Sequence, residues 1–218
     1  MIIAIDGPAG AGKSTVAKLV AKRLGYLYLD TGAMYRALTL KALDQGIDID
    51  DSEKVAKLAA DTSIGLINNP DGTLSVTLDG ADVSLLIRHP RITKSVSEVA
   101  KIKAVREVML IKQRELGGRG NAVLDGRDIG TVVFPNAEKK FYIDANLEER
   151  VNRRHKELKG LGQEVSVASV DADLSKRDKI DSSREFAPLK KAEDAVYIDT
   201  TFLTIEEVVN KLLSYING

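Results

Sequence analysis

The sequence predicts an α/β fold in three layers, with helices on both sides of a five-stranded parallel sheet, a small antiparallel β insertion and a lid. Three observations lead there. Five short runs, at residues 2–5, 27–29, 122–124, 139–143 and 195–198, are mainly apolar, the fourth after an opening Lys139-Lys140, as strands covered on both faces are. Patterns with helical spacing lie between them. Between the first run and the first helical pattern stands Gly-Pro-Ala-Gly-Ala-Gly-Lys-Ser at residues 7–14, which fits the phosphate-loop pattern G-x-x-x-x-G-K-[ST] in the strand–loop–helix context it requires. The class is therefore a P-loop α/β fold.

In chain order, the first strand is followed by glycines that let the backbone curl, so that successive N–H groups converge on phosphate oxygens. The helix at 14–24, with Val16, Leu19, Val20 and Leu24 on one side, adds its positive N-terminal end. Lys13 is placed to reach the β- and γ-phosphates, and Ser14 to help hold Mg²⁺. The second strand runs into Asp30-Thr31-Gly32-Ala33-Met34-Tyr35-Arg36 and a helix at 33–43. A helix start carrying a hydroxyl and a glycine suits a second anion, with Arg36 one and a half turns in to grip it. A helix at 53–60 follows, with Ser52 as its N-cap. Residues 64–67 and the alternating 73–78, joined by Asn68-Asn69-Pro70-Asp71-Gly72, read as an antiparallel hairpin. Asp79-Gly80 is a further turn, so the insertion spans about 64–86.

A longer helix is expected at 101–116. The strand at 122–124 ends in Asp125, as a Walker B acid must, near Ser14 and a shared cation. In Asp125-Gly126-Arg127-Asp128-Ile129-Gly130-Thr131 two carboxylates flank an arginine, the residue best suited to bidentate phosphate contact. Each of the five strands leads into an aspartate. Asp6, Asp30 and Asp125 stand where open α/β sheets build their sites, whereas Asp144 and Asp199 read as turn formers. A charged helix at 147–158 carries Arg150, Arg153, Arg154 and an exposed His155. The glycine-containing 158–170 reads as a mobile flap, making about 150–170 a lid over phosphates. Arg177, Asp181 and Arg184 fall at i, i+4 and i+7, one helix face. His89 has no evident partner. The last helix starts at Thr204, in a capping box with Glu207, and buries Val208, Val209, Leu212, Leu213 and Ile216.

At 218 residues the chain suits one main domain. The 32 basic and 32 acidic residues give no polyanion-binding surface, so nucleic acid is not an expected partner. The absence of cysteine rules out disulfides and thiolate metal sites. Asp6 ends the apolar start too early for a signal peptide, and no long uncharged apolar run would span a bilayer. The expectation is a soluble, cytoplasmic monomer. One triphosphate site, a second anion site and many arginines make the equipment for phosphoryl transfer between two phosphate-bearing substrates. A phosphate acceptor is already anionic, so no general base is needed. A GTP-dependent switch would show N-K-x-D and D-x-x-G. Asn210-Lys211 is followed by two leucines, and no D-x-x-G occurs. A shikimate-type kinase would need neither the β insertion nor so many arginines.

Taken together, IDGPAGAGKST at 5–15, LDTGAMYR at 29–36, the β insertion, LDGRDIGTVVFP at 124–135 and RDKIDSSREFAPL at 177–189 resemble the bacterial cytidylate kinases of the nucleoside monophosphate kinase group. The resemblance runs end to end. It implies transfer from ATP to CMP or dCMP with Mg²⁺, ATP being held by Gly7, Pro8, Ala9, Gly10, Ala11, Gly12, Lys13, Ser14 and Thr15. It further implies that Arg36, Arg127 and Arg184 clamp the CMP phosphate, with Lys13 and lid residue Arg154 assisting transfer. Arg177 and Asp181 would contact the sugar. Ser97, Arg106 and Asp128 would read cytosine, Thr31 and Asp125 would complete the CMP site, and Ser14 and Asp125 would hold the metal. The insertion would lie near the monophosphate. Cytosine offers an amine donor at position 4 and acceptors at N3 and O2, which suit a hydroxyl, a carboxylate and an arginine. Ser14 stands where some members carry Gly, Thr31 where some carry Ser, and Lys179 and Ile180 where some carry charges.

Overall fold

The structure is a computed structural model that describes residues 1–218. Its strands in chain order are β1 (Ile2–Asp6), β2 (Leu27–Asp30), β3 (Ile64–Asn68), β4 (Leu74–Leu78), β5 (Ala81–Asp82), β6 (Ala122–Asp125), β7 (Lys139–Asp144) and β8 (Val196–Asp199). Five of them form one parallel sheet in the order β2-β6-β1-β7-β8, and all five coincide with the expected apolar runs. The chain leaves β1 for β2 on one side and later crosses from β6 over β1 to β7. The crevice at the C-terminal end of β1 is therefore the topological switch point where such sheets bind ligands. The remaining strands form the small antiparallel sheet β3-β4-β5.

The helices are α1 (Lys13–Leu24), α2 (Thr31–Asp44), α3 (Ser52–Ala60), α4 (Pro90–Lys101), α5 (Lys103–Gly117), α6 (Leu147–Gly160), α7 (Val167–Ser183) and α8 (Ile205–Asn217). On one sheet face Ile3, Phe141, Ile143 and Ile198 pack against Val16 and Val20 of α1 and Val209 and Leu212 of α8. On the other, Ala4, Leu29 and Leu124 meet Ile129 and Val133, which belong to a single π-helical turn at Ile129–Val133. A larger apolar cluster lies beside the sheet, where Leu38 of α2, Val55 of α3, Ile92 of α4 and Met109 of α5 close over Val76 of β4. The insertion is thus built into a core of its own. It meets the main sheet through Leu66 and Leu74, which pack on the two sheet clusters, and through one polar tie. Asn68 accepts from the Tyr28 backbone N–H at 3.0 Å and donates to the Tyr28 carbonyl at 3.1 Å, completing the open edge of β2 as a neighbouring strand would.

Several local expectations need correction. α3 is capped by Asp51, which accepts from the Lys54 N–H at 3.1 Å; a carboxylate at the positive helix end outcompetes the Ser52 hydroxyl. The helix expected at 101–116 is present as α5, starting at Lys103, but a second helix not expected from sequence precedes it, and the two break at Ile102, an extended residue with φ −66° and ψ 115°. The first of them, α4, begins with Pro90, where a missing N–H is no loss, and His89 is its cap, accepting from the Arg91 N–H at 3.4 Å. The segment 158–170, expected as a flap, comprises the end of α6, the link 161–166 and the start of α7. His155 is half-buried, with Nε2 3.1 Å from the Val165 carbonyl, and closes this turn. The capping box of α8 is present, although Leu213 is only partly buried.

One glycine is obligatory for packing. Gly7, at φ 144°, lies so close to β7 that a Cβ there would stand 1.9 Å from the Ile143 carbonyl oxygen. No helix is long and apolar enough to cross a membrane. Leu38 is fully buried in the cluster beside the sheet, so Leu38→Ala is expected to cost about 2–5 kcal/mol, read as a lower urea midpoint at unchanged slope.

Candidate active site

A cleft of about 1020 Å³ opens at the C-terminal ends of the strands. Its floor is the glycine loop, where Lys13 is buried and donates to the Pro8 carbonyl at 2.6 Å. Burial, then the charge of Arg127, lowers the Lys13 pKa to about 7. Beside it the Asp125 carboxylate is held at both oxygens, by the Ser14 hydroxyl at 2.7 Å and the Tyr28 hydroxyl at 2.9 Å. Thr31 donates to the Asp125 carbonyl at 2.7 Å. Burial, then the neighbouring charge of Asp30, pushes the Asp125 pKa up to about 7. Gly126 is what lets Thr31 come so close, since a Cβ there would stand 2.8 Å from its hydroxyl.

The segment after β6 divides its groups between two walls. Arg127 turns to α7, where its Nε donates to Asp181 at 2.8 Å. Asp128 turns the other way, accepting from Arg106 of α5 at 2.6 Å, with Arg184 3.7 Å distant. Arg184 stands just past α7 and donates to the Ala187 carbonyl at 2.6 Å. Arg106 also packs 5.4 Å from the Tyr35 ring centre. Ser97 sits on the same wall, buried on α4.

Over these walls the cations outnumber their partners. Arg36 donates to the Thr93 hydroxyl at 3.0 Å and has no carboxylate partner within ion-pair distance. Burial, then Arg177 and Arg154, lowers its pKa to about 9. Arg177 is 3.7 Å from Asp173 and is lowered by burial, then by Arg127. Arg154 pairs with Glu157 at 2.8 Å. Four buried guanidinium nitrogens, Nε of Arg106, Arg154 and Arg177 and Nη2 of Arg184, make no hydrogen bond. Positive groups crowded out of water are relieved by an anion placed among them.

The family model for cytidylate kinases matches residues 3–218. The chain belongs to the cytidylate kinase family. It is 53% identical over 215 residues to a cytidylate kinase of Geobacillus sp. (strain WCH70), covering 99% of this chain and 96% of that one. It is 51% identical over 211 residues to the cytidylate kinase of Bacillus subtilis (strain 168), covering 97% and 94%. Among solved structures, a shikimate kinase from Bacteroides thetaiotaomicron superposes with a TM-score of 0.50 at 12% identity, over 100% of this chain and 99% of that one. An uncharacterized protein from Eubacterium ventriosum gives 0.53 at 14%, with the same coverage. These two likenesses concern the fold alone.

In this member of the cytidylate kinase family, the cleft is lined by the site residues expected from sequence except Asp6 and, at the entry to the loop, Gly7 and Pro8. Arg150 lies outside it. Its guanidinium binds the carbonyls of Ala145 and Ala9, both at 3.0 Å, and Asp178, fastening α6 to the loop and to α7. Arg153 does line the cleft and donates to the Thr200 carbonyl at 2.6 Å. Two contributions escaped the sequence reading. Tyr28 sits in an apolar run and reads as core, and Arg88 reaches the cleft from the 3₁₀ turn after the insertion, Leu86–Arg88.

Of the strand-end acids, Asp125 alone carries the donor set for a hard cation. Ser14 and Asp125 offer oxygen ligands, and no cluster of three or more His, Cys, Asp or Glu exists. That composition fits Mg²⁺, which keeps several waters and takes the rest of its shell from phosphates. Asp30 instead caps α2 through the Ala33 N–H at 2.8 Å, while lining the cleft. Asp144 and Asp199 are turn formers, as expected, accepting from the N–H groups of Ala145 and Thr201 at 2.8 Å.

Asp6 departs from the expectation of a site acid. Its two oxygens accept from the N–H groups of Ile129 and Gly130, both at 2.8 Å, and it ties the π-helical turn to β1. Burial pushes its pKa up to about 6. From about pH 4 to 6 the folded chain therefore keeps a proton that the unfolded chain has released, and this group's contribution to stability falls as pH rises through that window. The loss is about 3 kcal/mol at most. Urea unfolding of the native protein and of Asp6→Asn at pH 4.5 and 6.5 should show a steeper loss of stability in the native protein, the remaining slope in the variant coming from groups such as Asp125, whose pKa is also raised by burial.

Proposed function

We infer that the chain transfers the γ-phosphoryl group of ATP to CMP or dCMP, giving ADP and CDP or dCDP. The observation that carries this reading is the group of buried, under-partnered arginines facing the phosphate loop across one cleft. The backbone nest of residues 7–15 and Lys13 would hold the triphosphate. Lys13 would exchange the Pro8 carbonyl for phosphate oxygen, and the anion would restore its charge. Arg36, Arg127 and Arg184 would clamp the acceptor phosphate, with Arg154 joining from α6. In a loose phosphoryl-transfer transition state the charge spreads over the equatorial oxygens, and aligned cations are the main catalytic resource. A bound Mg²⁺, held by Ser14 and Asp125, would supply neutralisation of the β- and γ-oxygens. The helical pair α6–α7, over about 150–170, would act as the lid that excludes water, with the insertion at about 64–86 bordering the monophosphate.

For the base, the Asp128 carboxylate would accept from the cytosine amine, Arg106 would donate to the ring acceptors and Ser97 would complete the set. Arg177 and Asp181 would meet the sugar, while Thr31 and Asp125 border the acceptor. The balanced charge of the chain supports small-molecule partners, ATP and CMP or dCMP, for a protein read as a cytoplasmic monomer.

A coupled ADP-release assay with CMP, dCMP, UMP, AMP and shikimate tests the reading. CMP and dCMP should turn over. UMP sets an acceptor against Asp128, and kcat/KM should fall by about 10- to 100-fold, the value of one unpaired buried group. Turnover of shikimate alone would overthrow the proposal. Arg36→Ala should lower kcat/KM for CMP by about 10- to 100-fold, as loss of a charge-assisted hydrogen bond does, with the KM for ATP changed by less than roughly threefold. Equal effects on both substrates would remove Arg36 from the acceptor site.

A further inference from the structure

Tyr28 has a hydroxyl where the core needs only a ring. The side chain is 5% exposed and packs in the apolar cluster between the sheet and α1. A phenylalanine would fill that space, and a buried phenol needs a partner for its hydroxyl. The partner is Asp125 Oδ1 at 2.9 Å, while Ser14 donates to Oδ2 at 2.7 Å. With a donor on each oxygen the carboxylate cannot rotate, and each oxygen keeps a further lone pair for another ligand. The backbone of Tyr28 is fixed as well. It lies in register with Val123 of β6 on one side, and Asn68 grips its N–H and carbonyl on the other, at 3.0 and 3.1 Å. A line of contacts thus runs from the insertion sheet through Asn68 and Tyr28 to the carboxylate beside the phosphate loop.

We propose that Tyr28 is a positioning residue for the divalent cation that accompanies ATP: it holds Asp125 in the orientation in which that carboxylate and Ser14 receive the ion, and Asn68 anchors it from the insertion. This rests on the reading of Ser14 and Asp125 as the metal-holding pair. Groups that orient a ligating carboxylate influence metal affinity by about 10- to 100-fold when removed. A tyrosine that served packing alone would affect stability and leave metal affinity unchanged.

The test uses Mn²⁺ as the probe, measured by electron paramagnetic resonance on the full chain with a non-hydrolysable ATP analogue. Calorimetry of the analogue in EDTA gives the metal-free comparison. In Tyr28→Phe, Mn²⁺ affinity should fall by about tenfold or more, with metal-free analogue binding unchanged within about twofold. Asn68→Ala should move Mn²⁺ affinity in the same direction by a smaller factor, and it keeps the inference exposed if Tyr28→Phe does not fold. Native Mn²⁺ affinity in a folded variant would overturn the proposal, as would an equal loss of metal-free analogue binding. Absence of bound Mn²⁺ in the native protein would instead remove the metal reading on which the inference stands.

Discussion

The cost of gathering cations away from water governs this structure. Lys13, Arg106 and Arg184 are buried in one cleft, which Arg36, Arg154 and Arg177 also line. Opposite them stand chiefly Asp125, Asp128 and Asp181. Removing a charge from water is expensive unless partners replace the hydration, and here replacement is incomplete, since several guanidinium nitrogens make no hydrogen bond. The stability that offsets this strain lies elsewhere, in the core beside the sheet and in the layer of α1 and α8. On the proposed reading the two anionic substrates provide the missing counter-charge. Binding and relief of repulsion are then the same event.

Such a cleft needs rigid walls, because repulsion among its cations would otherwise spread them apart. Three ties provide the walls, and each joins elements far apart in sequence. Asp6 takes the N–H groups of Ile129 and Gly130 and so fixes where Arg127 and Asp128 emerge. Arg150 joins α6 to the Ala9 carbonyl and to Asp178 of α7. Asn68 extends the hydrogen bonding of β2 into the insertion. None of the three needs to touch substrate to matter, since each sets the distance between groups that would.

The same distinction explains what was legible in the sequence. The five strands were readable because a covered sheet leaves mainly apolar runs, even though β7 opens on two lysines and β8 exposes Tyr197, and the phosphate loop because its glycines serve a local turn. The helix α5 was legible in its apolar spacing, whereas α4 before it was not. The start of α4 was hidden because His89-Pro90 resembles a stop signal. Gly160 and Gly162 marked the turn between two helices, with Gly162 in the left-handed region at φ 73°, but did not show that helix continues on both sides of it. Strand-end acids look alike in sequence. Asp6 and Asp125 lie on adjacent strands, in register one residue apart, yet one is consumed by backbone N–H groups and the other faces Ser14. What separates them is the path of the chain after β6, which no local pattern encodes. Tyr28 was missed for a related reason: its ring satisfies the apolar period, and only the position of β6 beside β2 reveals what its hydroxyl meets.

The division of labour in residues 125–128 has a consequence for specificity. Asp128 is already engaged by Arg106, with Arg184 within reach, so on the proposed reading the base site is assembled before the base arrives. A carboxylate held in this way serves as an acceptor and need not turn to meet its ligand. Discrimination then comes from a fixed acceptor that an amine satisfies and a carbonyl does not, at the full desolvation cost of the unpaired group. Arg184 extends from this base wall toward Asp181, and Asp181 also accepts from Arg127. The groups proposed to read base, sugar and phosphate therefore form one continuous ion-paired chain. On the proposed reading a wrong base would sit badly against the fixed Asp128, and its phosphate would then be misplaced relative to the arginines joined to that wall through Arg184. Poor recognition is thereby converted into poor alignment, which in phosphoryl transfer is a loss of rate.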